Sequence, residues 1–382
     1  MKFGNIRVGS LAGIPILVSP SWFILFGLTT WLLATQFYPD ALEGAGRTTH
    51  YAMAVASVIL FFASIVLHEL AHSLVARAYN IPVKSITLFI LGGVAQITRE
   101  AAKPLHELLM AAAGPLTSFL LTGTFFGAWF ALGANDTRPV DYVLVWLALM
   151  NLILGVFNLL PAFPMDGGRV FRSICWLITG DYSKATSIAA WTGRGFAAAG
   201  IACGLLAVAG RDMVIADSAA SGAWIIFLGV FLENAARKSL AQNRLVNELR
   251  MYKAEDVMTP NLPVVDGGQT VGALARGVIE LNPRVCYMIS DEGSLAGLLS
   301  GYELRGVPER EWDNVTARQA MVPAAELRAT ARERLVSDVL LEMETEDLFH
   351  MPVVENGRVV GVIARDRILK LLVQAGLVPS RT

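Results

Sequence analysis

A histidine, a glutamate and a second histidine lie within five residues of one another in an apolar part of the chain. The stretch Val66–Ser73 reads VLHELAHS, so His68 and His72 are four residues apart and share one face of a predicted helix. Two imidazoles at this spacing can hold a zinc ion, and a carboxylate beside them can take a proton from the water that the ion activates. We therefore predict that His68 and His72 are metal ligands and that Glu69 is the general base.

A catalytic zinc site needs a third protein ligand and one open position, so another part of the chain must approach the two histidines. Residues 157–169 read FNLLPAFPMDGGR, which ends an apolar run with one acid, two prolines and two glycines. A helix that breaks at this point can turn Asp166 inward, and two histidines with one carboxylate leave a position for water. Asp166 is therefore the predicted third ligand; an aspartate that merely ends a helix is the alternative.

The elements that must position these groups have the composition of membrane spans. Hydrophobic residues make up 54% of the chain and charged residues 16%, against about 25% charged in soluble domains. Five runs within residues 1–235 approach or exceed the ~20 apolar residues that cross a bilayer: Ile14–Thr35, Tyr51–Tyr79, Leu105–Leu132, Tyr142–Leu160 and Ile188–Ala209. A sixth run, Ala223–Leu232, is shorter and counts as a span only with the small residues that flank it. We predict an α-helical polytopic membrane domain of about six spans. Ionisable groups are costly inside a span, which favours a functional role for the histidine–glutamate motif over a soluble, solvated helix face.

The distribution of basic residues orients the predicted spans. Three of them, Arg47, Arg138 and Arg211, fall on one side of the membrane. Thirteen fall on the side of the N-terminus: Lys2, Arg7, Arg77, Lys84, Arg99, Lys103, Arg169, Arg172, Lys184, Arg194, Arg237, Lys238 and Arg244. This positive-inside bias predicts a multi-pass protein of the cell (inner) membrane whose N-terminus, C-terminal tail and active-site mouth are cytoplasmic. The net charge of −1 shows no footprint for nucleic acid.

A short segment between the second and third predicted spans differs from its surroundings. Residues Ile81–Ile97 are rich in β-branched side chains and contain Gly92 and Gly93, which predicts strands with a turn or a bulge. Such a small membrane-associated β-element must be covered by protein, because lipid does not tolerate open strand edges. Gly92 and Gly93 could hold an unwound substrate segment by strand addition.

The chain changes character after Arg237 and then repeats itself. A polar, helix-prone linker covers residues 236–252. The segment AEDVMTP at 254–260 is similar to TARQAMVP at 316–323, and GLLS at 297–300 is similar to GVIA at 361–364. A unit of about 60 residues that occurs twice predicts paired α/β modules, which we place at 253–310 and 314–376.

The quoted motifs together resemble the site-2 protease family of intramembrane zinc metalloproteases, over about residues 5–235. His68-Glu69-Leu70-Ala71-His72 is similar to its zinc helix, Asn158-x-x-Pro161 followed by Asp166-Gly167 to its second signature, and Gly92-Gly93 and Ala113-Gly114-Pro115 to further parts of its pattern. The resemblance implies one catalytic Zn²⁺, Asp166 as its third ligand, and hydrolysis of peptide bonds within or near the transmembrane helices of single-span substrates in the lipid bilayer. It also implies that Asn158 places the substrate carbonyl. The residues alone allow interhelical hydrogen bonding for Asn151 and Asn158, and a kink or close packing for Gly114.

The repeated tail resembles a tandem CBS-domain pair. That resemblance implies an adenine nucleotide in the cleft between the modules, regulation of the activity and a homodimer formed through the tail. The usual fingerprint is a small hydroxyl residue followed three positions later by an aspartate that holds the ribose. The first module has Ser300 and Glu303 at these positions, whereas the second has Ala364 and Arg367, which lack both groups. A purely structural or dimerising tail is the alternative.

A second class of function uses the same residues. In a CBS-regulated metal or ion transporter, His68, Glu69, His72 and Asp166 would form a transit site and would need no nucleophilic water. A third alternative is a non-catalytic membrane scaffold, which is disfavoured because every catalytic position is filled. Tightly held, stoichiometric zinc favours a protease, and metal-dependent flux into vesicles favours a transporter.

Overall fold

The computed structural model describes residues 4–90, 92–97, 100–135, 138–211, 218–275, 286–291, 294–356 and 358–374. The chain divides into two compact units, Met1–Leu240 and Ala241–Thr382. Lys2 and Arg99, which enter the charge bias, and residues 375–376, at the predicted end of the second module, lie outside the described residues. The domain boundaries drawn from the sequence stay predictions.

The first unit begins with a hairpin where the sequence predicted the start of a membrane span. Strand β1 (Ile6–Leu11) pairs antiparallel with β2 (Ile14–Val18). The two-residue turn between them has positive φ at Ala12 and Gly13, 49° and 75°, which suits a tight hairpin. The prediction of a span from Ile14 was therefore wrong for its first residues, because an apolar strand that runs into an apolar helix reads as one continuous run.

The helix that follows this hairpin is not a single regular element. Helix α1 (Pro20–Leu32) starts with proline at its first position, where no intrahelical N–H is needed. A π-helical stretch, Leu33–Phe37, then leads into α2 (Tyr38–Ala41). The Tyr38 hydroxyl lies 2.5 Å from the Ser57 hydroxyl, and both residues are completely buried. This polar contact joins the segmented helix to the helix that carries the zinc motif.

Helix α3 (Arg47–Ala78) carries the zinc motif, and two strands follow it. Strand β3 (Val83–Phe89) and strand β4 (Gly92–Ile97) confirm the β-element that the sequence predicted. The four strands form one sheet in the order β1-β2-β3-β4, in which β2 and β3 are parallel and β3 and β4 antiparallel. Strand β4 is thus an edge strand.

The remaining helices of the first unit bring distant segments beside α3. They are α4 (Pro104–Ala131), α5 (Pro139–Asn158), α6 (Asp166–Thr179), α7 (Tyr182–Val208) and α8 (Ala219–Leu249). Within the described ranges, five helices are long and apolar enough to cross a membrane: α3, α4, α5, α7 and α8. The first predicted span is not among them, since its helix is divided into three short segments. The amphipathic helix α6 was not predicted.

Helix α3 packs in the middle of the first unit. Its apolar side chains share a core with residues of α1, α5 and the sheet, including Leu88 and Leu147. Asn151 on α5 donates to the Ser64 hydroxyl of α3 at 3.3 Å, which confirms its predicted role in interhelical hydrogen bonding. Ser64 lies four residues before His68, so the polar contact supports the turn of α3 that precedes the motif.

The second unit contains two sheets with the same pattern of pairing. The first has β6 (Val264–Asp266), β7 (Tyr287–Asp291), β8 (Ser294–Leu299) and β9 (Val322–Pro323), and the second has β10 (Thr330–Ala331), β11 (His350–Glu355), β12 (Arg358–Ala364) and β5 (Thr259–Pro260). Each sheet has one parallel pair followed by two antiparallel pairs. This equivalence agrees with the repeat seen in the sequence.

Each repeat lends its first strand to the sheet of the other. Strand β5 begins the first repeat but pairs with β12, and β9 begins the second repeat but pairs with β8. The two modules are therefore interlocked, with an apolar cluster that includes Leu262, Cys286 and Val362. The helices of this unit are α9 (Ala254–Val257), α10 (Val271–Leu274), α11 (Gly301–Arg305), α12 (Ala317–Ala320), α13 (Val336–Thr345) and α14 (Arg365–Gln374).

Candidate metal centre

The three predicted metal ligands meet at one point in the first unit. Oδ2 of Asp166 lies 3.1 Å from Nε2 of His68 and 3.0 Å from Nε2 of His72. One potential ligand atom of each residue lies within 4.8 Å of those of the other two. In the part of the chain that the structure describes, no other three histidine, cysteine or acidic side chains come this close together. Both histidines are buried and Asp166 is half-buried.

Hydrogen bonds on the far side of each ring fix how the histidines face this point. Nδ1 of His72 lies 2.6 Å from the carbonyl oxygen of Met110, and Nδ1 of His68 lies 2.9 Å from the Ser118 hydroxyl. A carbonyl can only accept, so Nδ1 of His72 carries the proton and, in the neutral ring, Nε2 keeps its lone pair. Such outer contacts are typical of metal-bound histidines.

The donor atoms fit a zinc ion. Two imidazole nitrogens and one carboxylate oxygen are a ligand set of catalytic zinc sites. They face one another at about the distance of a hydrogen bond, and mutually facing lone pairs repel unless a cation or a proton lies between them. His68, His72 and Asp166 are therefore the residues that would hold the metal.

Glu69 points to the sheet and not into solvent. Its Oε2 accepts a hydrogen bond from the Ala95 N–H of the edge strand at 3.1 Å. A Cβ atom placed on Gly93 would lie 2.8 Å from Cγ of Glu69 and 3.0 Å from Cγ2 of Ile65. The strand can approach α3 this closely because residue 93 has no side chain. Of the predicted substrate-positioning glycines, Gly93 thus leaves room for the side chain of Glu69, and Gly92 adopts a φ of 126° that favours glycine.

Asp166 reaches the histidines because α6 begins tightly against the end of α5. A Cβ atom on Gly167 would lie 2.2 Å from the carbonyl carbon and oxygen of Leu159, and one on Gly168 would lie 2.7 Å from the Ala162 carbonyl carbon. The two glycines after Asp166 therefore permit a backbone-to-backbone approach that any side chain would prevent. The sequence suggested a helix break here, but the packing partners could not be read from it.

A buried ion pair ties α6 to α4. Nε of Arg172 donates to Oε1 of Glu107 at 3.0 Å, its Nη2 also donates to that oxygen, and both residues are buried. The guanidinium lies over two aromatic rings, 5.3 Å from the centre of Phe163 and 4.7 Å from that of Tyr182. This pair was not predicted from the sequence. The available signal was Glu107, an acid within the apolar run Leu105–Leu132, where a charged side chain needs a partner.

Asn158 and His106 have partners away from the three ligands. Nδ2 of Asn158 donates to the Leu154 carbonyl at 3.0 Å, one turn back on its own helix. The His106 ring stacks on Tyr79 with 3.9 Å between ring centres. His106 does not join the other histidines, which agrees with the choice of Asp166 as the predicted third ligand.

The predicted nucleotide residues of the tail contact each other. The Ser300 N–H donates to Oε2 of Glu303 at 2.8 Å, and the Ser300 hydroxyl donates to the same oxygen. Serine followed three residues later by glutamate is a capping arrangement at the start of α11. In the second module, Arg367 donates to the Thr259 hydroxyl at 3.1 Å. The Ser300 and Glu303 assignment stays a prediction.

The comparisons with known proteins agree with this geometry. Residues 56–135 and 132–200 match peptidase family M50, and residues 330–374 match the CBS domain. A protein of Synechocystis sp. to which zinc metalloprotease activity is ascribed is 35% identical over 96% of this chain and 95% of its own length. A zinc metalloprotease of Methanocaldococcus jannaschii is 30% identical over 82% of this chain and 84% of its own.

A solved structure of a site-2 protease from the same archaeon is 30% identical, covers 62% of this chain and 95% of its own, and has a TM-score of 0.41. Sequence identity across almost the whole chain is what decides the assignment. The chain belongs to peptidase family M50, the site-2 protease family. It is a zinc metalloendopeptidase of the membrane that carries a CBS domain in its tail.

Proposed function

We propose that the chain hydrolyses peptide bonds within or near the transmembrane helices of single-span, membrane-anchored proteins. The observation that carries this proposal is that Asp166 meets His68 and His72, which lie beside Glu69 on a helix long enough to cross a bilayer. Buried ionisable groups on such a helix are expensive, so a catalytic role accounts for their presence.

The proposed mechanism assigns proton transfer to Glu69. When bound by His68, His72 and Asp166, zinc would polarise the scissile carbonyl and lower the pKa of water. Glu69 follows His68 directly in the chain, and its carboxylate is oriented by the Ala95 N–H. We assign Glu69 to take the proton from water and then to deliver it to the leaving amine.

The edge strand β4 is the proposed docking site for substrate. A transmembrane helix satisfies its peptide groups internally, so it must unwind before a bond can be attacked. An unwound segment that adds to β4 regains backbone hydrogen bonds next to Glu69. Gly93 lets backbone approach closely at this point, and Gly92 allows the turn before it. The role of Asn158 in placing the substrate carbonyl rests on the family resemblance.

The proposal also covers the orientation of the chain in the membrane and the role of its C-terminal tail. The positive-inside bias supports cytoplasmic termini and a cytoplasmic mouth of the active site in the cell membrane. We assign the CBS pair a regulatory role, with dimerisation through the tail and an adenine nucleotide beside Ser300 and Glu303. Titration of the purified protein with adenine nucleotides, followed by its unfolding temperature, tests the nucleotide assignment, because a bound ligand stabilises the folded state.

The test of the proposed function is cleavage by a Glu69→Gln variant. The purified protein and a single-span substrate are reconstituted in liposomes, and cleavage and zinc content are both measured. Since general acid–base catalysis typically contributes about 10²–10⁴-fold, cleavage should fall at least about 100-fold while zinc is retained. The exposed residue Glu43 provides the matched control, Glu43→Gln, which should cleave normally. Undiminished cleavage by Glu69→Gln refutes the assignment. Zinc uptake into the liposomes without cleavage would favour the transporter.

A further inference from the structure

A glycine, Gly114, lies on the face of α4 that contacts His68 and His72. It stands between two residues, Met110 and Ser118, that form hydrogen bonds with the histidine rings. Met110, Gly114 and Ser118 are spaced by four and lie on the same face of the helix. Met110 accepts from His72 and Ser118 bonds to His68. Gly114 lies between them and therefore faces the gap in which the two Nε2 atoms meet.

This gap is too small for a methyl group. A Cβ atom built on Gly114 would lie 2.1 Å from Nε2 of His72 and 2.5 Å from Nε2 of His68. Zinc–nitrogen bonds are about 2.0–2.1 Å long. A methyl carbon at residue 114 would therefore approach the ligand nitrogens as closely as a metal does, and the two cannot be present together.

The rings have little freedom to move away from such a methyl group. His68 is 3% exposed and His72 is 4% exposed. Swinging either ring would break its Nδ1 hydrogen bond to α4, and a movement of α4 as a whole would displace Met110 and Ser118 as well. Both relaxations thus disturb the contacts that orient the ligand nitrogens.

We propose that Gly114 is a positioning residue that keeps the metal site open, so that any side chain at this position excludes zinc. The proposal rests on the proposed function, in which His68, His72 and Asp166 hold the metal. It assigns a specific role to one of three glycines on α4. A Cβ atom on Gly123 or Gly127, in contrast, would have no heavy atom within 4 Å.

A substitution at a second glycine, Gly93, distinguishes the loss of zinc binding from the loss of catalysis. A methyl group on Gly93 would contact Glu69 and Ile65 but neither histidine among its three nearest atoms. Gly93→Ala should therefore impair cleavage and leave zinc bound. Gly114→Ala should lose zinc, and cleavage with it.

The test measures zinc per protein by mass spectrometry in the full-length protein purified in detergent. We expect about one zinc in the wild type, Gly93→Ala and Gly123→Ala, and at least a tenfold lower occupancy in Gly114→Ala. The unfolding temperature should rise on zinc addition to chelator-treated wild type but not to Gly114→Ala. Full zinc occupancy in Gly114→Ala overturns the proposal.

Two further variants keep the outcome decisive. If the His72→Ala variant loses zinc while the Gly114→Ala variant retains it, the proposal about Gly114 fails and the metal site stands. If the wild-type protein binds no zinc, or if His72→Ala binds zinc fully, both the proposal about Gly114 and the proposed metal site fail. If Gly114→Ala does not fold, the same change is made in a His68→Ala/His72→Ala background. Restored folding there shows that the clash is with the rings, and persistent misfolding overturns the proposal.

Discussion

Loss of the Glu107–Arg172 ion pair should destabilise the membrane unit and weaken zinc binding together. Arg172 lies on α6, six residues after Asp166, and its guanidinium donates to Oε1 of Glu107 on α4. Glu107 is 1% exposed and Arg172 7% exposed. Replacing Glu107 by Gln removes the closer and buried counter-charge of Arg172, on the helix that positions Asp166. The second carboxylate near Arg172, that of Glu100, is exposed and lies 4.0 Å away.

The expected effect is large for a single substitution. Removing one partner of a buried ion pair costs about 3–5 kcal/mol. At roughly 2–4 °C per kcal/mol for a unit of this size, Glu107→Gln should lower the unfolding temperature by roughly 6–20 °C. The Glu107→Gln/Arg172→Met double variant removes both charges and should recover part of this loss, since replacing a whole buried pair is often nearly neutral.

The assay is a double-mutant cycle on thermal unfolding in detergent, with zinc content measured in parallel. The matched control is Glu233→Gln, which breaks the partly exposed pair with Arg194 and Arg237. That change should cost at most about 1 kcal/mol and leave zinc content unchanged. If Glu107→Gln proves as mild as the control, or if the double variant shows no recovery, the argument for an ion-pair anchor of α6 is refuted.

Two further predictions concern packing and burial elsewhere. Gly167→Ala should abolish stoichiometric zinc binding, because its methyl group would overlap the Leu159 backbone. The control Gly195→Ala, whose added Cβ atom would meet no heavy atom within 4 Å, should bind zinc normally. The zinc content of both purified variants is measured, and normal zinc binding by Gly167→Ala would contradict the packing argument. Burial, and secondarily Glu303, raises the pKa of the Cys286 thiol to about 12, so alkylation at pH 8 should be at least about 100-fold slower in the folded than in the denatured protein. Peptide mass spectrometry measures both rates, and equal rates would show that the thiol is not buried.

The parts of the site that local sequence patterns specify could be predicted from the sequence. The spacing of His68 and His72 fixes their common helix face, and the break after Asn158 indicated that Asp166 could turn inward. Met110, Ser118 and Gly114 could not be assigned, because their roles depend on how α4 packs against α3. Packing between helices is a non-local property that the apolar pattern of one helix does not specify.

In the fold, too, local patterns in the sequence were predictive and contacts between distant segments were not. Hydrophobic run length predicted α3, α4, α5, α7 and α8, since each of these long helices contains an apolar stretch long enough to cross a membrane. It failed at Ile14–Val18, where a strand continues directly into a helix and both are apolar. The repeat in the tail predicted two equivalent modules, but the exchange of β5 and β9 between their sheets required the pairing partners to be known.

The most direct test of the account is zinc X-ray absorption spectroscopy of the full-length protein and its His72→Ala variant. The account predicts a zinc ion bound to two imidazole nitrogens and to oxygen, at about 2.0–2.1 Å, in the wild type. It also predicts that the variant loses one imidazole contribution or loses the metal altogether. A zinc–sulfur contribution at about 2.3 Å, or a spectrum that is unchanged in His72→Ala, would contradict the central claim that His68, His72 and Asp166 hold the catalytic metal.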